Sequence, residues 1–219
     1  MAHAHRVLLV GGPSEIGLVV VGRLAGADDT VITLAARTSA ELRAAEAALC
    51  EDGFGTHVLA YEAAWGTAAI SMLLAEARRR MGGLDLVVVG VSSPAESSQA
   101  PDAGADHPGE PGLQAVLLTN LTGPALVANV AVDVLAAQGH GTVVVALPGA
   151  SAPGGSPTLG RRVAESGLDE LVRGLAVRAR HFGVECLVVR PGQAVARASA
   201  SGNAARLPEG TASPSPAHR

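Results

Sequence analysis

The sequence contains no lysine, and all 16 of its basic residues are arginines. No chemistry that needs a lysine amine can therefore take place in this chain. Aromatic residues make up only 2% of the 219 residues, with Tyr61 the only tyrosine and Trp65 the only tryptophan. This scarcity argues against the stacking platforms that bind unpaired bases. Hydrophobic types still make up 48% of the chain, so a sizeable core of valine, leucine and alanine is expected.

Strong charge and cysteine patterns are also lacking. The net charge is −4 with no basic stripe, which argues against a nucleic-acid partner. Cys50 and Cys186 have no metal-binding or redox spacing, so we expect two buried thiols, no metal and a reducing compartment. The amino terminus does not resemble a signal peptide, and we expect no membrane span. The composition predicts a cytoplasmic protein.

Short Val/Leu runs alternate with longer helical patterns along the chain. The strand candidates are continuous apolar runs, as in parallel strands covered on both faces: Arg6–Val10, Thr30–Ala35, His57–Tyr61, Leu84–Val89, Thr142–Leu147 and Val184–Arg190. The helix candidates are Ser14–Ala25, Ser39–Glu51, Ala68–Met81, Leu113–Ala137 and Arg161–Phe182. This alternation predicts an α/β fold of the Rossmann type, a doubly wound parallel sheet in three α/β/α layers.

Two segments break the alternation. Residues 92–112 are rich in proline and acidic residues and predict a mobile loop. Residues 194–219 are mostly small and polar, which predicts a disordered tail. We therefore expect one domain over residues 1–193, followed by that tail.

A glycine-rich turn follows the first predicted strand. Its sequence includes Gly11, Gly12, Ser14, Glu15, Ile16 and Gly17. Glycines permit a tight turn and close approach of the backbone to a pyrophosphate, and the helix amino terminus that follows favours an anion. A tight strand–helix connection with no ligand is the alternative for the turn, and a helix-capping acid is the alternative for Glu15.

Four motifs carry a resemblance to a known family. VLLVGGPSEIG, VITLAAR, NLTGP and CLVVRPGQ occur in the order and at the intervals typical of the short-chain dehydrogenase/reductase family. The resemblance extends from about Arg6 to Gln193. It implies a Rossmann fold, NAD(P)(H) at the carboxyl ends of the strands and a four-helix dimer interface. The GGPSEIG turn, with an acid in place of the usual middle glycine, is most similar to a subgroup that reduces a keto-sugar lipid.

The resemblance also implies coenzyme contacts beyond the turn. No acid follows the second strand to bind both ribose hydroxyls of NAD, whereas Arg37 can bind a 2′-phosphate, so NADP(H) is favoured over NAD(H). Glu62 falls near the adenine position, although a surface acid is an equal alternative. The resemblance adds three backbone contacts at Gly90, Pro191 and Gly192.

The catalytic end of the family pattern is mostly missing. Asn120 matches the family asparagine, or is merely a helix-kink residue beside Gly123 and Pro124. Arg161 stands at the tyrosine position and Glu165 at the lysine position. A guanidinium cannot donate the proton, and a carboxylate raises rather than lowers a neighbouring acid's pKa. A helix-surface ion pair is the alternative for these two residues.

The family's serine, its substrate lid and its last strand are also not recognisable. The sequence therefore favours an NADP(H)-binding protein without standard hydride transfer. A divergent active oxidoreductase is one alternative. A non-catalytic partner subunit is the other, as a homodimer or a mixed dimer with a complete homologue through helices 113–137 and 161–182.

Overall fold

The computed structural model describes residues 6–11, 29–37, 39–91, 112–148, 159–190 and 196–197. The predicted first helix Ser14–Ala25, residues 92–111 of the predicted loop and most of the predicted tail lie outside these residues. The predictions of mobility and disorder stay predictions there, as does the division into residues 1–193 and 194–219.

Six parallel strands form the sheet. They are β1 (Arg6–Val10), β2 (Val31–Ala36), β3 (Gly55–Ala60), β4 (Leu86–Gly90), β5 (Gly141–Ala146) and β6 (Val184–Val189). Their order across the sheet is β3-β2-β1-β4-β5-β6. The strand order therefore reverses its direction between the neighbouring strands β1 and β4. All six predicted strands are present, with ends that differ by up to two residues, and the predicted doubly wound fold is confirmed.

A seventh strand lies inside the predicted tail. β7 (Ala196–Arg197) pairs antiparallel with Leu187 and Val188 of β6. The prediction of disorder is therefore wrong for these two residues. The sequence contains no apolar run there, and the pairing depends on backbone hydrogen bonds that any residue except proline can make. Within the described ranges, β7 is the only strand that follows β6.

The described helices cover both faces of the sheet. They are α1 (Ala40–Glu51), α2 (Thr67–Met81), α3 (Leu113–Leu117), α4 (Gly123–Gln138) and α5 (Leu159–Ala179), with a single π turn at Leu118–Thr122 and a 3₁₀ turn at Arg180–Phe182. α1 packs on one face, and α2, α4 and α5 pack on the other. The predicted helix Leu113–Ala137 is therefore two α-helices joined by a π turn.

Local sequence fixes where these helices begin and end. The Ser39 hydroxyl oxygen accepts a hydrogen bond from the Leu42 N–H at 3.1 Å, which caps the start of α1. α2 and α4 end at Gly82 and Gly139, both in the left-handed conformation that glycine favours.

The two cysteines differ in burial. Cys186 is buried but Cys50 is exposed, so the expectation of two buried thiols is wrong for Cys50. The physical reason is helix geometry, because Cys50 lies one position past the buried stripe of α1, which ends at Leu49.

Candidate functional site

The carboxyl ends of the six parallel strands meet at one edge of the sheet. Open α/β sheets bind their ligands outside this edge. Gly11 and Arg37 directly follow β1 and β2, and Gly90 is the last residue of β4. The structure therefore brings together these predicted coenzyme residues. The others, Gly12, Ser14, Glu15, Ile16, Gly17, Pro191 and Gly192, lie outside the described residues.

Gly11 turns the chain at this edge. Its φ of +105° lies in the region that favours glycine, and its N–H donates to the carbonyl oxygen of Ala35 at 3.0 Å. A Cβ at position 11 would overlap the carbonyl oxygen of Gly90. The ends of β1 and β4 can therefore approach this closely only with glycine at position 11.

Arg37 and Glu62 lie beside the neighbouring ends of β2 and β3. Ala36 and Ala60 are register partners, so these two strand ends are side by side. Both side chains are exposed. Arg37 makes no hydrogen bond or ion pair with the described part of the chain. Its guanidinium is therefore available for a phosphate oxygen, which it can bind in a bidentate geometry.

Asn120 lies in the middle of the π turn. π turns inside α-helices are frequent at functional sites. Asn120 is only 4% exposed, and its side chain makes no hydrogen bond to any residue that the structure describes. Because α4 leads from the π turn to the start of β5, Asn120 lies at the carboxyl edge. The structure therefore places a buried amide in the π turn at the carboxyl edge of the sheet.

Arg161 and Glu165 form a largely buried ion pair in the first turns of α5. The Arg161 Nε donates to Glu165 Oε1 at 2.7 Å, and the Arg161 side chain is only 10% exposed. Arg161 belongs to the helix stripe that packs on the sheet, with Ala164, Leu168 and Val172. The ion pair four residues apart is therefore present as the alternative interpretation had it, but its Arg161 side is buried and does not lie at the helix surface. The periodicity of the stripe was the sequence signal for this burial.

A second ion-pair network follows one turn along α5. Asp169 accepts hydrogen bonds from Arg173, on the same helix, at 2.5 Å and from Arg190 at 3.2 Å. Arg190 directly follows β6, so this contact ties α5 to the end of the last parallel strand. The end of β6 is therefore held by charge as well as by packing.

Tyr61 is a site residue that the sequence pattern did not single out. It follows β3 at the carboxyl edge and is 6% exposed. Its ring packs edge-to-face against Trp65, with centroids 6.0 Å apart. Burial, and to a lesser degree the charge of Glu62, raises the pKa of Tyr61 to about 12. The signal that could have found it is its uniqueness, because the only tyrosine directly ends a predicted strand.

Two further observations concern metals and membranes. Within the described ranges, no three potential metal ligands come together. One described helical segment, Leu113–Gln138, is long and apolar enough to cross a membrane by length and composition alone. The composition has another explanation, because Val127, Ala131 and Leu135 of this segment lie in the core.

Comparisons with known proteins agree with this architecture. A family-wide sequence model described as short chain dehydrogenase matches residues 5–206. The chain therefore belongs to the short-chain dehydrogenase family. No curated protein matches the sequence significantly. Its particular role within the family therefore has to be argued from its own residues.

Solved structures resemble the chain along most of its length. An NAD⁺-bound xylitol dehydrogenase has a TM-score of 0.68 at 20% identity, with 86% of this chain and 70% of that chain covered. An actinorhodin polyketide ketoreductase with NADPH has a TM-score of 0.68 at 24% identity, with 89% and 73% covered. A citronellol catabolism dehydrogenase of Pseudomonas aeruginosa PAO1 has a TM-score of 0.64 at 26% identity, with 84% and 73% covered.

The described part of the edge fits a dinucleotide at its adenine end. Gly11 keeps its turn free of a side chain, and Arg37 extends an exposed guanidinium beside the end of β3. Asn120, Arg161 and Glu165 are buried or half-buried polar residues of the described chain, and none of them carries a hydroxyl group.

Proposed function

We propose that this chain is an NADP(H)-binding member of its family that does not carry out the family's standard hydride transfer. The observation that supports this most is the Arg161–Glu165 pair, which we align with the tyrosine and lysine positions of the family pattern. Carbonyl reduction needs a proton donor whose pKa is drawn toward neutrality by a nearby cation. The Arg161 guanidinium does not give up its proton, and the charge of Glu165 offsets its positive charge.

No other described residue replaces the missing donor. Tyr61 is buried, and its pKa of about 12 makes it a poor acid. Cys186 is buried, and burial raises its pKa to about 11. The coenzyme, when bound, would supply a hydride, but the residues that the structure describes offer no matching source of a proton. The protein would then act by binding the coenzyme rather than by turning it over.

The preference for NADP(H) depends on Arg37. Calorimetry with NADPH and NADH tests it: Arg37→Ala should weaken NADPH binding about 10- to 100-fold, the value of losing a charged hydrogen bond, and leave NADH unchanged. Arg43→Ala, an exposed arginine on α1, is the control. No binding of either coenzyme at millimolar concentration would overturn the proposal. So would turnover near 1 per second in a screen of carbonyl substrates, a rate of about the usual size for an enzyme.

A divergent active reductase is the second candidate function. The GGPSEIG turn favours it, because this turn resembles that of the reductase subunit of decaprenylphosphoryl-ribose 2′-epimerase. The buried Asn120 favours it too, because it matches the asparagine that keeps a relay water in place in the family pattern. The proton would come from water or from Glu165. Glu165→Gln should then abolish a measured reduction of a keto-sugar, whereas the first proposal leaves no activity to abolish.

The third candidate is a dimeric partner subunit, and the outer face of α5 supports it. This face is palindromic about Glu170: Val163 and Val177 lie seven residues to either side. Leu159 and Phe182 lie near its two ends, and all four apolar side chains are exposed. Two copies crossing antiparallel at Glu170 would bring Val163 of one against Val177 of the other. Such self-complementarity is the mark of a two-fold interface.

A reducing, cytoplasmic location completes the proposal. Cys50 and Cys186 are both free thiols, and Cys50 is exposed. An exposed free thiol is typical of a compartment that keeps cysteines reduced. Fractionation of the source cells, with detection of the intact chain, tests the location.

A further inference from the structure

Tyr61 contacts both halves of the candidate site. Its backbone N–H donates to the carbonyl oxygen of Ala36 at 3.1 Å, which extends the β2–β3 ladder by one residue. Ala36 directly precedes Arg37, the residue available for a phosphate. The main chain of Tyr61 is therefore tied to the strand end that would hold the adenine half of the coenzyme.

The side chain of Tyr61 reaches the start of α4. A Cβ built on Gly123, the first residue of α4, would lie 3.1 Å from the Tyr61 hydroxyl and 2.9 Å from the carbonyl oxygen of Ala63. Distances this short leave no space for a side chain at position 123. The segment after β3 and the start of α4 are therefore in close contact, and neither can shift without displacing the other.

Gly123 directly follows the π turn that holds Asn120. A π turn is a local irregularity in a helix and is often found where a helix has to adjust its geometry. A displacement of Gly123 would therefore be taken up in the π turn and would change the orientation of Asn120. The Tyr61 ring is held by Trp65, so the contact with Gly123 is well defined.

The Tyr61 hydroxyl adds a second observation. It makes no hydrogen bond with the described residues, although the residue as a whole is only 6% exposed. The hydroxyl is the Tyr61 atom that lies nearest the Cβ position of Gly123. The hydroxyl is therefore the part of Tyr61 that lies against the start of α4.

We propose that Tyr61 is a positioning residue that links binding at the Arg37 end of the site to the geometry of Asn120. The inference rests on the proposed coenzyme binding, because it needs a ligand at the Arg37 end. A 2′-phosphorylated adenosine bound there moves the β2 and β3 ends together. Tyr61 transmits the movement to Gly123, and the π turn reorients the Asn120 amide.

The asparagine content of the chain makes a direct test practicable. The sequence contains only three asparagines, Asn120, Asn129 and Asn203. Selective ¹⁵N labelling of asparagine side chains should therefore give three pairs of amide signals, and Asn120→Ala identifies one of them. Adenosine 2′,5′-bisphosphate is the probe, because it occupies the adenine half alone and cannot touch the far end of the site directly.

The expected result is a shift of the Asn120 signals on addition of the probe to the full chain. The Asn129 signals should stay in place, because Asn129 lies further along α4 and accepts a hydrogen bond from Arg178. Tyr61→Leu should abolish the Asn120 shift while calorimetry still detects the probe. Tyr61→Phe, which keeps the ring against Trp65 but removes the atom nearest Gly123, should reduce it.

Gly123→Ala provides an independent variant in case Tyr61→Leu does not fold. It forces the two segments apart, so the Asn120 signals should differ before any probe is added and should no longer respond to it. Probe binding without an Asn120 shift in the wild type overturns the inference and leaves the proposed function intact. So does a full shift in either Tyr61 variant. Absence of any probe or NADPH binding overturns the proposed function itself.

Discussion

Arg161 and Glu165 are joined by a 2.7 Å hydrogen bond on the face of α5 that packs against the sheet. The proposed function aligns them with the positions where the family pattern has a proton donor and the cation that activates it. The family pattern pairs a neutral proton donor with a cation, whereas Arg161 and Glu165 pair a cation with an anion. The Arg161–Glu165 pair is polar and largely buried. On the proposed alignment, this exchange of one pair for the other removes the group whose pKa could be tuned for catalysis.

The first prediction concerns the stability that this pair contributes. Glu165→Gln leaves the buried Arg161 guanidinium without this counter-charge, which should lower the free energy of unfolding by about 2–3 kcal/mol. Glu46→Gln is the matched control, because Glu46 accepts from Arg43 at 3.4 Å and is about as exposed as Glu165, but its partner Arg43 is 66% exposed. It should change stability by less than about 0.5 kcal/mol.

Urea denaturation of the two variants and the wild type gives the comparison. Equal effects of the two substitutions would show that the Arg161–Glu165 pair is solvated, contrary to its burial in the structure.

The second prediction tests the close approach of Gly11 to Gly90. Gly11→Ala combines a left-handed φ with an overlap on the Gly90 carbonyl, and should cost more than about 3 kcal/mol of unfolding free energy. Gly53→Ala separates the two causes, because Gly53 has a φ of +89° but nothing within 4 Å of its Cβ position. That control should cost only about 1 kcal/mol.

Thermal or urea unfolding measures both variants. If Gly11→Ala costs no more than Gly53→Ala, the ends of β1 and β4 are further apart than the structure places them.

The six strands could be predicted from the sequence, but parts of the site could not. Buried parallel strands are continuous apolar runs, so a run such as Leu86–Gly90 indicates both a strand and its burial on two faces. The π turn has no such signature, because Leu118–Thr122 does not differ in pattern from the helices around it. Its position depends on how the segment packs against α5.

Side-chain burial at the site was predictable only in part. The spacing of Arg161, Ala164 and Leu168 matches one helix face, so the buried position of Arg161 was present in the periodicity. The general rule that arginine lies at the surface outweighed that pattern. The contact of Tyr61 with Gly123 joins residues far apart in the chain, and nothing local to either residue indicates it.

The third prediction is a pH dependence at the opposite edge of the sheet. Asp85 accepts hydrogen bonds from the Arg6 side chain at 2.7 and 2.9 Å and from the Arg6 backbone N–H at 2.9 Å. Burial acts to raise the pKa of Asp85, but these bonds and the charge of Arg6 outweigh it and hold the pKa below its ordinary value. A lowered folded-state pKa means stability that is present above about pH 4 and lost as pH falls through the folded value.

Asp85→Asn should therefore be less stable than the wild type at pH 7, and the difference should shrink as the pH falls below about 4. Urea unfolding at a series of pH values measures it. A difference that grows toward low pH would mean that the pair with Arg6 does not lower the Asp85 pKa.

The last prediction concerns the palindromic face of α5. If two copies cross antiparallel at Glu170, position 163 of one copy faces position 177 of the other. Val163→Arg alone should break the dimer, because it buries two unpaired charges, and Val177→Glu alone should do the same. The double variant should restore the dimer, since each new guanidinium then faces a new carboxylate across the two-fold axis.

Sedimentation velocity at matched concentrations distinguishes these states. Met72→Arg, a charge placed on an exposed residue of α2, is the control and should leave the assembly unchanged. A double variant that stays monomeric would place the contact elsewhere, because only an antiparallel crossing at Glu170 brings the two positions together.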